Sequence, residues 1–274
     1  MLLTEKSAIA EEIVLQLSHG GMKSSDLLKQ IQTTQSVTRQ GFYKSLAERV
    51  RQEVVVKNKQ LVILNNTWVN KLHGFVETVD THYQTTSSQG SFLSLREGES
   101  LVYHFKSIDS LDALWMHYFF LIAKKEEQPV ILFTQHEWFS LCRPEAENFM
   151  YTWLKNHKRQ GYSIVGSDTR LDRATTAYIK NEYMQIAYET KPLFRRNFYT
   201  TVIGPYLINT IIDTATATAI DELYANQTIS NEDATVVLNG ILENMKRSKI
   251  VIMRNKKRAE QVRRKLMKYF VFYR

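Results

Sequence analysis

Residues 36–64 read SVTRQGFYKSLAERVRQEVVVKNKQLVIL, and this stretch decides the fold of the first part of the chain. Its first half places apolar residues every four positions, at Phe42, Leu46 and Val50. That spacing predicts a helix with one buried face, which begins near Ser36 or Thr38. Two β-branched runs follow at residues 54–56 and 61–64, separated by a polar tip, and they predict a β-hairpin.

Two further helices are predicted upstream of this stretch. One carries an apolar stripe over residues 9–17 and stops at Gly20 and Gly21, and the next begins at Ser24 and fades near residue 34. Three short helices followed by a hairpin form the plan of a winged helix-turn-helix, which we assign to residues 1–66. In that plan the third helix enters the major groove of DNA with its first turn.

The side chains expected to contact DNA lie on the third helix and on the hairpin tip: Ser36, Thr38, Arg39, Gln40, Tyr43, Lys44, Lys57 and Lys59. Arginine pairs with guanine and glutamine with adenine, whereas hydroxyl and ammonium groups bind phosphate oxygens. Asn58 suits a positive φ at the tip. Some winged helices bind proteins instead, but the concentration of basic residues on the helix and the tip favours DNA.

Residues 67–90 are predicted to form a helical connector and linker. Large apolar residues succeed one another there at spacings of four, three and four: Trp68, Leu72, Phe75 and Val79. Such a seam fits a short coiled coil between two chains, and it equally fits a helix packed on its own domain. A serine- and glycine-rich run over residues 87–91 then marks the domain boundary.

The remaining residues, 91–274, alternate between predicted strands and helices. Strands are predicted at residues 92–95, 100–105, 129–134, 161–167, 198–203, 206–212 and 249–253. Helices are predicted to start at Asp109 as a cap, at Pro144 and near Asp172, and to cover residues 217–224, 232–246 and the basic C-terminus. This alternation predicts an α/β domain, so the fold class is α/β within an α+β chain.

Charge is distributed unevenly along the chain, whose net charge is +8. Residues 1–72 carry +4, residues 73–245 carry −7, and residues 246–274 carry +11, with 12 Lys and Arg against a single acid. A basic C-terminal helix could bind DNA, or its charges could face solvent. The four-residue repeat of Val262, Leu266 and Phe270 favours a helix packed on its own domain.

Composition excludes several classes of protein. The single cysteine, Cys142, excludes an internal disulfide framework and a four-cysteine zinc site, and it is expected to be a small buried apolar residue. No apolar stretch is long enough for a membrane helix, and the first residues lack the pattern of a signal peptide. The sequence therefore predicts a soluble, cytoplasmic protein with no membrane partner, metal or cofactor.

One motif invites a comparison with phosphodiester chemistry. A phospholipase D-type active site uses His-x-Lys, four further residues and then Asp. The triplet His104-Phe105-Lys106 begins such a motif, but the required position is Leu111, and Asp109 and Asp112 lie on either side of it. Because the spacing fails, we expect no catalysis. The pair His136-Glu137 follows a predicted strand, where α/β proteins place ligand sites, but we expect it at the surface.

In the order of its elements the chain resembles the TrmB-type transcriptional regulators. The resemblance lies in Val37-Thr38-Arg39-Gln40-Gly41-Phe42-Tyr43-Lys44-Ser45-Leu46 with Glu53-Val54-Val55-Val56, and in Tyr199-Thr200-Thr201-Val202-Ile203-Gly204 with Tyr206-Leu207-Ile208. It implies a winged helix, a helical connector and a catalytically inactive phospholipase D-like sensor domain. It also implies a homodimer that binds double-stranded operator DNA and responds to a small-molecule effector. Sugars are the usual effectors of that family, yet no residue set here identifies a sugar site.

Two other functions remain open from the sequence. One is a nuclease or phosphodiesterase of the phospholipase D type that its winged helix targets to DNA. The other is a structural nucleoid or plasmid-partition protein that binds DNA without an effector.

Overall fold

The computed structural model describes residues 8–85, 95–177 and 179–270, with side chains of residues 80–85 excepted. The chain divides into two compact units, Met1–Thr86 and Ser87–Arg274, and each is described by itself. Within the described ranges no helix combines the length and the apolar character that crossing a membrane requires.

The first unit has the winged helix-turn-helix plan that the sequence predicts. Its elements in chain order are α1 Ala8–Leu17, β1 Met22–Lys23, α2 Ser24–Thr34, α3 Arg39–Arg51, β2 Val55–Asn58, β3 Leu61–Leu64 and α4 Asn66–Thr85. The strands form an antiparallel sheet in the order β1-β3-β2. The short strand β1 was not predicted, since two residues carry no periodic signal.

The core of the first unit collects the apolar faces of its helices and of the hairpin. Its fully buried side chains include Ile13, Leu27, Ile31, Phe42, Leu46 and Val62. The predicted stripe of α3 is confirmed at Phe42 and Leu46, whereas Val50 is 37% exposed. Burial of α1, α2 and α3 in one core fixes α3 relative to the hairpin, because interior side chains pack without voids.

The turn of the hairpin differs from the prediction in one residue. Lys59 takes the positive φ, at 54°, and Asn58 remains in the ladder opposite Leu61. Strand β2 ends at Asn58, two residues after the β-branched run 54–56, so only Lys59 and Gln60 are left to turn the chain. The predicted conformation of Asn58 is therefore wrong, and the tip carries a lysine in a left-handed backbone conformation.

The second unit is built on one mixed sheet of seven strands. The strands are β4 Ser100–Phe105, β5 Val130–Thr134, β6 Gly161–Val165, β7 Met184–Tyr188, β8 Phe198–Ile203, β9 Tyr206–Ile211 and β10 Ser248–Arg254. Their order is β4-β10-β9-β8-β5-β6-β7, in which β5, β6 and β7 run parallel and the other neighbours antiparallel. The α/β fold class is confirmed. Strand β7 was not predicted, and the strand predicted at residues 92–95 lies outside the described residues apart from Leu95.

Helices cover both faces of this sheet. They are α5 Ile108–Lys125, α6 Phe139–Cys142, α7 Pro144–Asn156, α8 Arg170–Thr176, α9 Thr214–Ala225, α10 Asn231–Glu243 and α11 Lys256–Met267. Helices α5 and α7 contribute to a core with Leu132 and Ile208, and α11 contributes to another with Ile131 and Val202. Successive strand residues point to opposite faces, so the strands that are covered on both faces consist mainly of apolar residues, with a few buried polar ones such as Ser163 and Asn209.

One prediction about the helices needs correction. Asp109 does not cap α5: Ser107 precedes the helix, and Asp109 lies in its first turn, where it accepts a hydrogen bond from Arg143. The final helix packs on its own sheet as predicted, with Leu266 fully buried and Phe270 8% exposed. These side chains are consequently part of the core of the second unit.

Candidate functional site

The first turn of helix α3 is exposed to solvent, and a side chain caps the start of the helix. Thr38 precedes the helix, and its Oγ1 accepts a hydrogen bond from the Gly41 backbone nitrogen at 3.1 Å. This cap satisfies one of the free amides of the helix start. Gly41 allows the approach, because a Cβ built at this position would lie only 3.1 Å from the same hydroxyl oxygen. Arg39 and Gln40 follow the cap, and both are exposed.

A tyrosine joins this turn to the wing. The guanidinium of Arg39 and the ammonium of Lys57 each lie 5.9 Å from the centre of the Tyr43 ring. The ring itself is half-buried and packs edge-on against Phe42, with 5.1 Å between the ring centres. Cations are attracted to such a ring face. Helix α3 and strand β2 therefore share one surface with two positive groups.

The structure brings together three of the eight predicted DNA contacts, Arg39, Tyr43 and Lys57. Ser36, Lys44 and Lys59 are exposed without a contact to this trio, and the Thr38 hydroxyl is engaged in the helix cap. No described acidic side chain pairs with the basic residues of this surface, which are Arg39, Lys44, Lys57 and Lys59. We call Arg39, Gln40, Tyr43, Lys44, Lys57 and Lys59 the recognition surface.

The His-x-Lys motif does not assemble into a site. His104 is exposed on the edge strand β4, and Lys106 is exposed immediately after that strand. Asp109 pairs with Arg143, and Asp112 is buried with only 4% of its surface exposed. Within the described ranges no hydrogen bond joins His104 to a carboxylate.

A buried histidine that we expected at the surface lies at the centre of a polar cluster in the second unit. His136 follows β5 and is 5% exposed. Its Nδ1 lies 3.2 Å from both carboxylate oxygens of Asp172, and its Nε2 lies 3.1 Å from Asp221 Oδ1. Ionised carboxylates only accept hydrogen bonds, so the two carboxylates beside the ring nitrogens favour the doubly protonated form of His136. Burial alone would lower the pKa of His136, but the bonds to the two aspartates outweigh it and raise the pKa.

Asp172 is fully buried and is held by several donors. Its Oδ2 accepts hydrogen bonds from Ser167 Oγ at 2.5 Å and from Thr169 Oγ1 at 2.7 Å. Burial would raise the pKa of Asp172, but the hydrogen bonds and charge of His136 lower it overall. On the other side of the ring, Arg196 lies 3.4 Å from Asp221. This histidine cluster ties the end of β5 to helices α8 and α9.

A second polar cluster surrounds a small cavity on the α5 and α7 face of the sheet. The cavity has a volume of about 40 Å³, and three buried carboxyl groups line it: Asp112, Glu137 and Glu147. Burial raises the pKa of Glu137 to about 7. Burial, with the negative charge of Glu137, also raises the pKa of Glu147 well above its ordinary value. Among the described residues, no group of His, Cys, Asp and Glu is arranged to hold a metal ion.

One feature of the sequence pointed to these clusters, but the partners of His136 could not be predicted from it. The position of His136-Glu137 after a buried strand pointed to a ligand site, since the ends of strands are where α/β folds place them. The partners of His136 are 36 and 85 residues away along the chain, and no spacing rule connects them. The predicted surface location of the pair is therefore wrong.

Comparison with known proteins gives structural similarities only. No protein-family model matches the chain, and no curated protein does so either. The chain is similar to the structure of TrmBL2, an archaeal chromatin protein with a novel mode of DNA binding. That similarity has a TM-score of 0.36 and 8% identity over 96% of this chain and 92% of TrmBL2.

Two further structures show similarity over part of the chain. NucT from Helicobacter pylori has a TM-score of 0.38 and 8% identity, over 64% of this chain and 100% of NucT. Polyphosphate kinase from Porphyromonas gingivalis has a TM-score of 0.40 and 10% identity, over 69% of this chain but 28% of the kinase. At TM-scores below 0.5 these likenesses do not bear on function, and the sites are interpreted from their own geometry.

Proposed function

We propose that this protein is a sequence-specific DNA-binding transcriptional regulator that acts as a homodimer and responds to a small-molecule effector. The observation that carries the proposal is the placement of Arg39 and Lys57 at the Tyr43 ring, each 5.9 Å from the ring centre. Through it, the first turn of a capped helix and the wing strand present positive charge on one surface. That is the geometry with which a winged helix reads a groove and grips the adjacent phosphates.

Charge on the first unit supports this reading. The basic residues of the recognition surface are exposed and have no acidic partner among the described residues, so they remain free to release counterions from DNA. Arg51, at the far end of α3, by contrast pairs with Glu48 at 2.7 Å. The unpaired charge is concentrated at the end of the helix that would enter the groove.

The experiment that tests the proposal begins with selection of a preferred duplex from a random pool by the wild-type protein. Arg39→Ala should then weaken binding to the selected duplex by about 1–3 kcal/mol and change binding to a scrambled duplex little, because it removes contacts to base edges. Lys71→Ala, at an exposed lysine of α4, is the control. Equal loss on both duplexes, or no loss on either, would contradict the placement of α3 in the groove.

The dimer is proposed to form along α4. Phe75 and Val76 are 51% and 53% exposed, and Leu72 is half-buried beside them, whereas Trp68 packs on the core of its own unit. Val76→Glu should shift the protein from dimer to monomer in light scattering. Val236→Glu, at a valine of α10 that is 73% exposed, is the matched control and should not. Two such units would read inverted repeats with centres about one helical turn apart.

The second unit is proposed to act without catalysis. A histidine nucleophile needs a free ring nitrogen, and both nitrogens of His136 face carboxylates. Supercoiled plasmid incubated with the protein and a chelator should remain intact. Nicking that disappears in His104→Ala or in His136→Ala would instead support the targeted nuclease. Genome-wide occupancy distinguishes the regulator from a structural nucleoid protein, since a regulator should occupy few strong sites and a nucleoid protein many weak ones.

A further inference from the structure

The cavity beside Glu137 is lined by helices α5, α6 and α7 and by the sheet of the second unit. Helix α5 contributes Asp112 and Trp115, helix α7 contributes Glu147, and the sheet contributes Thr201 and Thr210. The site lies at the end of β5 and under the loop that carries His136 and Glu137. Both glutamates are buried, at 3% and 4% exposure.

Among the described residues, neither glutamate has a positive partner. Glu137 accepts a hydrogen bond from Ser140 Oγ at 3.2 Å, and Glu147 bonds with Tyr151. Arg143, the nearby cation, is directed to Asp109 and lies 3.7 Å from Asp112. No described basic side chain forms an ion pair with Glu137 or Glu147. Buried carboxylates are normally paired, so this pair lacks the cation that would stabilise its ionised form.

Two hydroxyl groups give an independent sign of a ligand. Thr201 and Thr210 lie on the neighbouring strands β8 and β9, each is 3% exposed, and both line the cavity. Neither side chain makes a hydrogen bond with another described residue. Thr200, which also lines the cavity, by contrast donates a hydrogen bond to Asn209 Oδ1 at 2.7 Å. Buried hydroxyls are generally bonded, so the unpaired ones indicate a missing partner in the cavity.

We propose that this cavity binds the ammonium group of a small primary amine. Glu137 and Glu147 would balance its charge, and the hydroxyls of Thr201 and Thr210 would accept its N–H donors. The aromatic walls, which include Trp115 and Phe139, suit a cation and its short carbon chain. A single water needs about 10–15 Å³ by the same measure of volume, so 40 Å³ admits a head group with few carbons and excludes a sugar ring.

The protonation of the two glutamates before a cation binds determines whether binding releases protons. Burial raises the pKa of both glutamates; the charge of Asp172 adds to the effect on Glu137, and the charges of Glu137 and Asp112 add to the effect on Glu147, so both carboxyls hold a proton more tightly than an ordinary glutamate does. An entering ammonium ion favours the ionised carboxylates. Its binding should therefore release protons to the buffer.

The role of the cavity as an effector site rests on the proposed regulatory function. Amine binding itself is tested on the full chain without DNA. Failure of amine binding and failure of DNA binding are thus separate results. The probe is ethylammonium, titrated calorimetrically at pH 7.5 in buffers of different ionisation enthalpy, with ethanol as its neutral analogue. We expect saturable binding of ethylammonium alone, with proton release.

Two variants decide whether the bound cation is in this cavity. Glu147→Gln should weaken ethylammonium binding by about tenfold or more, because it removes a charged acceptor. Glu145→Gln makes the same chemical change at an exposed position of α7 and should leave binding unchanged. Thr201→Val, which retains the shape of the side chain, should weaken it by a smaller factor.

Three results would overturn the proposal. They are no saturable binding of ethylammonium at millimolar concentrations, equal binding of ethanol, and unchanged binding to folded Glu147→Gln.

Discussion

Two regions of the molecule are strongly basic, the recognition surface of the first unit and helix α11 of the second. On the recognition surface, Arg39 and Lys57 lie at the Tyr43 ring, and neither forms an ion pair with a described residue. On α11, cations are bound to the unit itself: Arg263 bonds with Glu260 at 2.7 Å and with the Gly204 carbonyl at 2.8 Å. Lys265 donates to the Leu193 carbonyl at 2.5 Å.

This difference shows that the density of charge in a sequence does not locate a polyanion site. Residues 246–274 carry +11, far more than the first 72 residues with +4. Yet α11 buries Ala259 and Leu266 against the sheet and uses several of its cations to hold neighbouring loops. A cation that is already bonded contributes less to DNA binding than a free one, because its contacts must be broken first.

The largest effect expected from this contrast concerns His136, whose charge is also bound within the second unit. His136→Ala should lower the free energy of unfolding by about 3–5 kcal/mol, because it leaves Asp172 buried without its cation. His104→Ala, at an exposed histidine, is the control and should have little effect. Urea denaturation followed by circular dichroism measures both, and similar midpoints for the two variants would contradict the bonded state of His136.

A smaller effect on the free energy of unfolding is expected from a change of pH. The pKa of His136 is raised, so its contribution is complete below about pH 6.5, its unfolded value, and is lost as pH rises through the folded value. The pKa of Glu137 is raised to about 7 in the folded protein. Its contribution to stability is therefore complete below about pH 4.5, the unfolded value, and is lost as the pH rises to about 7.

Both groups change in the same direction, so the urea midpoint should fall from pH 5 to pH 8. Glu147→Gln should flatten that profile, because one buried carboxyl no longer titrates. A midpoint that rises over this range would contradict the assigned protonation states.

The smallest expected effect is a change in the salt dependence of DNA binding when lysine pairs in the two basic regions are replaced. Replacing Lys57 and Lys59 by alanine should reduce the slope of log affinity against log salt by up to about two, since each phosphate contact contributes roughly 0.9. The same change at Lys256 and Lys257, which are exposed at the start of α11, should leave the slope unchanged. Equal reductions in a titration at several salt concentrations would show that α11 also contacts DNA.

The sequence by itself determined the winged helix and most elements of the second unit. The Phe42 and Leu46 stripe, the Thr38 cap and the apolar run of β5 are local patterns. Each depends on residues a few positions apart, so spacing alone is enough to predict it. The placement of predicted DNA contacts on α3 and the hairpin rests on the same local patterns.

Only the tertiary structure decided which polar residues are buried and what they contact. His136 and Glu137 read as a surface pair, but the fold brings Asp172 and Asp221 to the histidine across 36 and 85 residues. The unpaired Thr201 and Thr210 are likewise defined by helices from earlier in the chain that close over the sheet. Burial and charge pairing depend on contacts between segments that are distant in sequence, and no local period encodes those contacts.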